Sequence, residues 1–219
     1  MFHLDPDGVF RNASLSRIPN LVCGFGTRNA VDWPGLPAAT VHQIHSSRVV
    51  FAEGPGILGE GDALITNQIG FVLAVRTADC VPILIADPTH HAVAAVHAGW
   101  RGTVSGILRE ALREMGDRFG TMPGEVLVGI GPAIGLCCFE VGPEVAVQFD
   151  HPAEKTHLDL IEANRQQALD SGVPWDGISA AGRCTRCEPG LFHSFRRDRE
   201  QSGRMVAAIG WRELRDLTR

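Results

Sequence analysis

The sequence predicts one sizeable domain of the α/β or α+β class, and three observations support this. The chain has 219 residues, of which 44% are hydrophobic and 21% charged, so it can bury a large core. Apolar runs rich in β-branched residues, between 71 and 96, are typical of buried strands. Residues 103–115 place apolar side chains at the three- and four-residue spacing of one helix face. Because no linker divides the chain, we expect a single domain over residues 1–219.

The predicted elements follow in chain order from the same patterns. Residues 1–20 are expected to form an N-terminal extension or an edge strand, and the Gly- and Pro-rich stretches 29–37 and 54–61 are expected to form loops. Apolar runs bounded by turn residues predict strands over 21–25, 39–44, 49–52, 62–66, 71–75, 81–86, 92–96, 126–130, 191–195 and 205–209.

Three helices are predicted, each with a recognisable boundary. The clearest covers 103–115, with Thr103 as its N-cap and Gly116 or Gly120 as its stop. A second begins near Pro143, because proline suits a first helical turn. A third covers 158–169, with Asp159 near its start, where the helix dipole favours an acidic residue.

Charge, hydropathy and cysteine usage narrow the class of protein. A formal net charge of −5 gives no general attraction to nucleic acid or to anionic membranes. No apolar run reaches the roughly 18 residues that a spanning helix needs, and the N-terminus lacks a signal-peptide pattern. Six cysteines spread through a chain of this length are typical of reduced thiols. We therefore expect a cytoplasmic protein without a nucleic-acid or membrane partner.

Three candidate metal ligands each follow a predicted strand: His45, Cys80 and His97. Two imidazoles and one thiolate suit zinc, and three protein ligands leave a fourth position open for water or substrate. The alternative is a structural cysteine with two unrelated histidines. His42 competes with His45, but a strand that continued through both would point them to opposite faces.

Two neighbouring stretches offer further candidates. Asp79 would orient an imidazole or act as a general base, or it is a turn aspartate bonded to its own backbone. The backbone amides at the start of the best helix, with Arg101, would bind phosphate or carboxylate. The alternative for that stretch is a Gly-rich helix start with an arginine in solvent.

The remaining cysteines and a basic segment leave alternatives open. Adjacent Cys137 and Cys138 would place one thiol in a pocket, although simple packing of small residues is favoured. Cys184 and Cys187 form a lone CxxC, and no second pair that would complete a zinc site is evident. Residues 194–198 (SFRRD) either pair among themselves in solvent or aim an arginine into a pocket.

Several motifs match one known family in order. They are QIHSSRV (43–49), TADCVP (77–82), HAGWRG (97–102), GPAIGLCCFEVG (131–142), Asp159-Leu160 with Asn164, and SFRRD (194–198) with Gly203-Arg204. On these residues the chain resembles the YfiH or laccase-domain family, long labelled multicopper polyphenol oxidase. The match covers roughly residues 21–210. One departure concerns substrate range: the family continues Thr27-Arg28 with a Gly-Gly-Val-Ser type loop, which is absent here.

The resemblance implies a fold, a metal and an activity. The implied fold is one α/β domain with mixed β-sheets sandwiched between helices, in a monomer or homodimer. Zinc is implied at the three candidate ligands. The implied activity is phosphorolysis of adenosine, inosine, guanosine and methylthioadenosine, together with deamination of adenosine, so that purine nucleosides and phosphate are the partners. The hypothesis assigns catalytic roles to Arg28, Asp79 and Cys138, and phosphate binding to Arg28, Arg101, Gly102 and Thr103.

Two other functions remain as alternatives. A copper-dependent polyphenol oxidase is the first, since copper binds such a ligand set tightly in vitro. It is disfavoured because the chain has nine histidines, none in a His-x-His motif, and one His₂Cys site cannot store the electrons that reduce dioxygen to water. The second alternative is a non-enzymatic metal-binding protein associated with the cell envelope or cell division.

Overall fold

Strands dominate the chain over residues 1–213, which the computed structural model describes. The strands are β1 (Phe2–Leu4), β2 (Val9–Asn12), β3 (Leu21–Gly26), β4 (Ala38–His42), β5 (Val49–Phe51), β6 (Gly56–Glu60), β7 (Ala63–Thr66), β8 (Val72–Thr77), β9 (Val81–Asp87), β10 (Ala92–Ala98), β11 (Leu127–Ile130), β12 (Glu140–Val141), β13 (Thr156–His157), β14 (Ile178–Ala180) and β15 (Met205–Trp211). The α-helices are α1 (Trp100–Val104), α2 (Ile107–Phe119), α3 (Pro143–Ala146), α4 (Leu160–Asp170) and α5 (Phe195–Asp198).

Two mixed sheets form the centre of the molecule. The seven-stranded sheet has the order β1-β2-β3-β15-β8-β4-β6, and β4 runs parallel to both of its neighbours. The six-stranded sheet has the order β14-β11-β9-β10-β7-β5, with its outermost pairs parallel and the inner pairs antiparallel. The mixed sheets and the α/β class are therefore as predicted.

Strands β9 and β10 are buried on both faces, which explains their unbroken apolar sequence. Alternate residues point to opposite sides of the six-stranded sheet. Leu84 and Ala86 pack into the core between the two sheets, whereas Ile83 and Ile85 pack beneath the helices. The molecule thus has one core between its sheets and a second core between the six-stranded sheet and the helices.

The two outer faces are covered differently. The apolar face of α2 closes the six-stranded sheet with Ile107, Leu108, Ala111, Leu112 and Met115. On the seven-stranded sheet, Trp33 and Leu36 of the loop after β3 pack on the outer face. Strands β1 and β2 form one edge of this sheet, in keeping with the edge strand expected within residues 1–20. No helix within residues 1–213 is long and apolar enough to cross a membrane.

Three predicted elements differ from the structure. The helix expected over 103–115 is divided into α1 and α2 by Gly106, whose φ of 75° is left-handed, so Thr103 lies inside α1 and is not an N-cap. Gly120 does end α2, as predicted. The stretch 54–61 was predicted to be a loop but contains β6, whose mostly exposed edge position leaves no apolar alternation to detect.

The strand predicted over 191–195 is also wrong. Phe192 is fully buried and stacks on Phe10 as an anchor in the core, rather than as part of a strand. Ser194 then caps α5, because its side chain accepts a hydrogen bond from the Arg197 amide.

Candidate metal centre and active-site pocket

Strand pairing brings the three predicted ligands together. Strands β4 and β8 are parallel, with Ala38 beside Val72, so both end at the same edge of the seven-stranded sheet. His45 lies three residues beyond β4, and Cys80 lies three residues beyond β8. Strands β9 and β10 are antiparallel, which returns His97 beside the start of β9. The ligand atoms of the three side chains all lie within 4.8 Å of one another.

Asp62 is a fully buried carboxylate that organises this cluster from behind. It directly precedes β7, which pairs with β10 so that Ala63 faces Val96. Oδ1 of Asp62 accepts hydrogen bonds from the His45 amide at 3.0 Å and from Nδ1 of His97 at 2.8 Å. Oδ2 accepts from the amides of Ile44 and Ser46 and from the Ser46 hydroxyl. This carboxylate holds His45 in its left-handed conformation and orients the His97 ring with Nε2 towards the Cys80 sulfur.

The electrostatics of the metal-free cluster favour a thiolate. Burial opposes ionisation of the Cys80 thiol, but hydrogen bonds with His45 and His97 outweigh it and lower the pKa to about 6. Burial likewise opposes charge on His97, but its hydrogen bonds with Asp62 and Cys80 raise its pKa to about 9. The Asp62 carboxyl, despite its burial, has a pKa lowered to about 2 by His97 and Ser46. The cluster therefore presents deprotonated sulfur, the form that binds metal.

Gly99 is required where the chain passes this cluster. A Cβ atom at this position would lie 2.9 Å from Sγ of Cys80 and 3.1 Å from Cδ2 of His45. Its φ of −72° and ψ of 173° are open to any residue, so the constraint is steric rather than conformational. Glycine here leaves the space in which the three ligands converge.

The cluster lines one side of a cavity of about 790 Å³, a size typical of small-molecule sites. His97 is only 4% exposed, Cys80 is half-buried and His45 is exposed. The cluster therefore faces the cavity rather than the core. Apolar and aromatic residues form part of the wall: Val41, Trp100, Ile134, Phe139, Leu160 and Phe195. Arginines Arg76, Arg196 and Arg204 supply positive charge on the same wall.

Asp79 also lines the cavity, and both of its oxygens are engaged. Oδ1 accepts a hydrogen bond from the Thr185 hydroxyl at 2.5 Å, and Oδ2 accepts one from the Arg196 amide at 2.8 Å. The Arg196 side chain continues to the Glu140 carbonyl and lies over the Phe139 ring. Asp79 therefore anchors the start of α5 and positions Arg196 on the wall.

The residues predicted to bind phosphate are not among those that line the cavity. Arg28 donates to the Pro189 carbonyl at 2.7 Å. The Arg101 guanidinium stacks over the Trp100 ring. Buried Thr103 donates its amide to the Gly99 carbonyl and accepts a hydrogen bond from Asn164, so neither group is free for an anion. Gly102 is buried as well, packed close to the Ser46 carbonyl. A phosphate role for these residues stays a prediction.

Cys138 does not line the cavity either. Its sulfur lies 3.4 Å from that of Cys187, within a four-cysteine cluster made of Cys137, Cys138, Cys184 and Cys187. The second cysteine pair that sequence reasoning did not find for Cys184 and Cys187 is therefore the adjacent pair at 137 and 138.

Sequence reasoning missed Asp62 and Arg76, and it named Arg204 only as part of a family motif, without a role. An aspartate directly before a wholly apolar strand is a signal that could have marked Asp62, because a buried carboxylate requires hydrogen-bonding partners. The two arginines carry no comparable local signal. For residues 194–198 the structure contains both predicted alternatives, because Arg197 pairs with Asp198 while Arg196 lines the pocket.

Comparisons with known proteins show the family to which this chain is similar. The sequence model of the family described as multi-copper polyphenol oxidoreductase laccase matches residues 27–212. A protein named purine nucleoside phosphorylase from Bacteroides thetaiotaomicron is 47% identical over 161 residues, covering 68% of this chain and 60% of that protein. A protein named adenosine deaminase RL5, from an unknown prokaryotic organism, is 41% identical over 161 residues, covering 68% and 61%.

The fold is shared with a solved structure. The crystal structure of YlmD from Geobacillus stearothermophilus matches with a TM-score of 0.89 at 30% sequence identity, covering 97% of this chain and 99% of that chain. In the sequence matches, by contrast, the aligned region spans only about 60% of the length of the two curated relatives.

Proposed function

The chain belongs to the multi-copper polyphenol oxidoreductase laccase family, which includes the YfiH proteins, and from that premise we propose that it is a zinc-dependent purine nucleoside phosphorylase. Its proposed substrates are adenosine, inosine, guanosine and methylthioadenosine, each with inorganic phosphate. Relatives named purine nucleoside phosphorylase support the reaction type. The choice among these nucleosides stays a prediction.

The observation that carries the proposal is the composition of the cavity. One wall combines the His45, Cys80 and His97 cluster with aromatic surfaces and three arginines. A purine nucleoside has a flat ring system that stacks on aromatic side chains, and phosphate is an anion that guanidinium groups bind through paired hydrogen bonds. The cavity volume accommodates both substrates together.

The donor set fits zinc. Two imidazoles and one thiolate leave an open position, and Asp62 behind His97 is the carboxylate partner that metal-bound imidazoles usually have. Zinc held by these three residues would supply Lewis acidity, which polarises an oxygen atom or activates water. Asp62 keeps the His97 proton on Nδ1, so that Nε2 is the ligand atom.

The side chains of the wall then have separate tasks in phosphorolysis. The bond between ribose C1′ and the purine nitrogen breaks, a bond from C1′ to a phosphate oxygen forms, and the base leaves with the electron pair and takes up a proton. Arg196 and Arg204 hold the phosphate, and Phe139 and Trp100 hold the purine. Asp79 acts through Arg196, which it positions by accepting the Arg196 amide hydrogen bond.

Deamination of adenosine is the second candidate function at the same site. A relative named adenosine deaminase supports it, and so does a metal-ligand cluster that faces a cavity. In this reaction water replaces the amino group at purine C6 without phosphate, and Asp79 is the candidate for proton transfer because it lies on the wall.

The oxidase and the non-enzymatic alternatives have less support. Within residues 1–213 the structure brings together two groups of metal-ligating side chains, and the second contains four cysteines and no histidine. This is unlike the histidine-rich copper sites that an oxidase of this kind needs. A cluster that faces an open cavity favours an enzyme over a purely structural metal-binding protein.

The proposal is tested by incubating purified, metal-quantified protein with adenosine and with inosine, each with and without phosphate, and separating the products by chromatography. Release of free base only when phosphate is present would support the phosphorylase. Conversion of adenosine to inosine without phosphate, and no base release, would support the deaminase instead. Cys80→Ala should abolish both bound metal at the pocket cluster and turnover, and retained turnover in that variant would refute a catalytic metal.

Substitution of four arginines distinguishes the phosphate site assigned from the structure from the phosphate site predicted from the sequence. Arg196→Ala and Arg204→Ala should each raise the KM for phosphate about 10- to 100-fold, since a hydrogen bond to a charged group contributes about 1.5–3 kcal/mol. Arg28→Ala and Arg101→Ala test the sequence-based prediction under the same conditions. An increase confined to the second pair would overturn the assignment from the cavity wall, and no increase in any variant would refute both.

A further inference from the structure

A second group of metal-ligating side chains lies beside the pocket. The four-cysteine cluster joins two segments that are distant in sequence, residues 137–138 and residues 184–187, and all four sulfur atoms lie within 4.8 Å of one another. All four cysteines are free thiols. Cys137 and Cys187 are exposed, so ions in solution have direct access to the cluster.

The sulfur separations match a tetrahedral metal site. With a zinc–sulfur bond of about 2.3 Å, the sulfur atoms at the corners of a tetrahedron are about 3.8 Å apart. Sγ of Cys187 lies 3.7 Å from Sγ of Cys137 and 3.4 Å from Sγ of Cys138. The two-residue spacing within Cys184-Thr185-Arg186-Cys187 is also typical of zinc-binding cysteine pairs.

We propose that Cys137, Cys138, Cys184 and Cys187 form a second zinc site, closed by four thiolates and separate from the metal cluster of the pocket. Four thiolates fill the tetrahedral coordination of zinc, so no position remains for water or substrate. The site is structural, and it does not depend on which reaction takes place in the pocket.

Groups that stabilise negative sulfur already surround the cluster. The Gly135 amide points at Sγ of Cys184 at 3.3 Å, and the Arg186 guanidinium lies 3.5 Å from Sγ of Cys138. Four thiolates and one Zn²⁺ carry a net negative charge, which the amide and the arginine partly offset. A Cβ atom at Gly135 would lie 3.5 Å from Sγ of Cys137, an ordinary van der Waals contact, so the chain at Gly135 packs directly against the sulfurs.

The proposed zinc joins two segments that support the pocket wall: residues 133–138, which include the lining residue Ile134, and residues 183–187, which contact the lining residue Asp79. Backbone hydrogen bonds between Ala133 and the segment 183–185 already align these segments. From the first segment, Ile134 donates its amide to the Asp79 carbonyl. From the second, the Thr185 hydroxyl binds the Asp79 carboxylate. A metal held across both segments therefore stabilises the position of Asp79, and through it that of Arg196.

The experiment counts metal in four proteins that are expressed with zinc and purified under reducing conditions. The wild type should contain about two zinc ions per chain, and Cys80→Ala should contain about one. The double variant Cys137→Ser/Cys187→Ser should also contain about one, because it changes only exposed thiols of the cluster. Cys23→Ala is the control, since Cys23 is a buried free cysteine outside both clusters, and it should keep the wild-type content.

A second measurement covers the case in which the double variant does not fold. The Cys80→Ala protein keeps all four cysteines of the cluster and is titrated with Co²⁺, which reports tetrahedral thiolate coordination by intense visible bands. These bands should appear and should vanish when zinc is added.

Three results would overturn the proposal. One is a folded double variant with wild-type zinc content. The second is a Cys80→Ala protein that shows no thiolate–cobalt bands. The third is a reduced wild-type protein whose zinc content falls to zero when Cys80 is replaced. None of these results depends on turnover, so they leave the proposed reaction of the pocket untouched.

Discussion

Replacing Asp62 by asparagine tests whether one buried carboxylate holds the metal centre together. The asparagine would keep the shape of the side chain but present an NH₂ group in place of one oxygen. If the NH₂ group replaces Oδ1, the His45 amide and Nδ1 of His97 lose their acceptor. If it replaces Oδ2, the amides of Ile44 and Ser46 lose theirs. In either orientation at least two N–H groups face another donor.

The magnitude follows from those lost hydrogen bonds. Each buried donor left without a partner costs about 1–3 kcal/mol, so Asp62→Asn should lower the free energy of unfolding by about 2–6 kcal/mol. This is a large part of the roughly 5–15 kcal/mol that stabilises a typical domain. Because His97 keeps at best a neutral amide oxygen in place of the carboxylate that orients it, zinc affinity of the pocket cluster should fall about 10- to 100-fold.

The assay combines two measurements on each variant. Urea denaturation of metal-free protein gives the free energy of unfolding, and competition with a chelator gives the zinc dissociation constant of the pocket cluster. Asp87→Asn is the matched control, because Asp87 is also fully buried and accepts hydrogen bonds from Thr89 and His90. It ends β9, seven residues from Cys80, or about 23 Å along an extended strand.

The two aspartate variants should therefore separate stability from metal binding. Asp87→Asn should destabilise the fold by about 1–3 kcal/mol and leave zinc affinity unchanged. Asp62→Asn should change both. An Asp62→Asn protein that binds zinc as tightly as the wild type would refute the argument that this carboxylate organises the ligands.

Three further predictions concern the glycine beside the metal centre, the pH dependence of folding stability and the hydrophobic core. Gly99→Ala should lower zinc occupancy and turnover without unfolding the protein, because its Cβ would lie 2.9 Å from the Cys80 sulfur. The control is Gly54→Ala, whose Cβ meets no atom within 4 Å and which should leave metal content unchanged. In the metal-free protein the folded-state pKa of Asp62 is about 2, below its ordinary 3.8, so its contribution to stability is complete above about pH 4 and is lost as the pH falls towards 2. The free energy of unfolding, measured as a function of pH, should fall over this range, and Asp62→Asn should make that fall smaller. Phe192→Ala should lower the free energy of unfolding by about 3–5 kcal/mol in urea denaturation, because Phe192 is fully buried, and a change below about 1 kcal/mol would contradict its role as a core anchor.

Local pattern in the sequence was enough for the parts of this protein that short-range physics controls. The buried strands β9 and β10 are continuous apolar runs bounded by turn residues, and the structure has them within two residues of the predicted limits. His45, Cys80 and His97 were recognisable because each follows such a run, and the motif resemblance selected the same residues. The edge strand β6 was missed because exposed residues carry no alternation of burial.

Contacts between distant segments could not be read from local pattern. The five donors around the Asp62 carboxylate come from β10 and from the loop after β4, and only the pairing of β7 with β10 brings them to one side chain. Two cysteine pairs that look incomplete in sequence meet because the chain at Ala133 pairs with the chain at Cys184. Hydrophobic periodicity specifies which residues are buried, whereas strand order and register decide which side chains become neighbours. The identity of the three metal ligands could therefore be predicted from local pattern. The contacts of the Asp62 carboxylate, the arginines of the pocket and the four-cysteine cluster were decided by strand order and register.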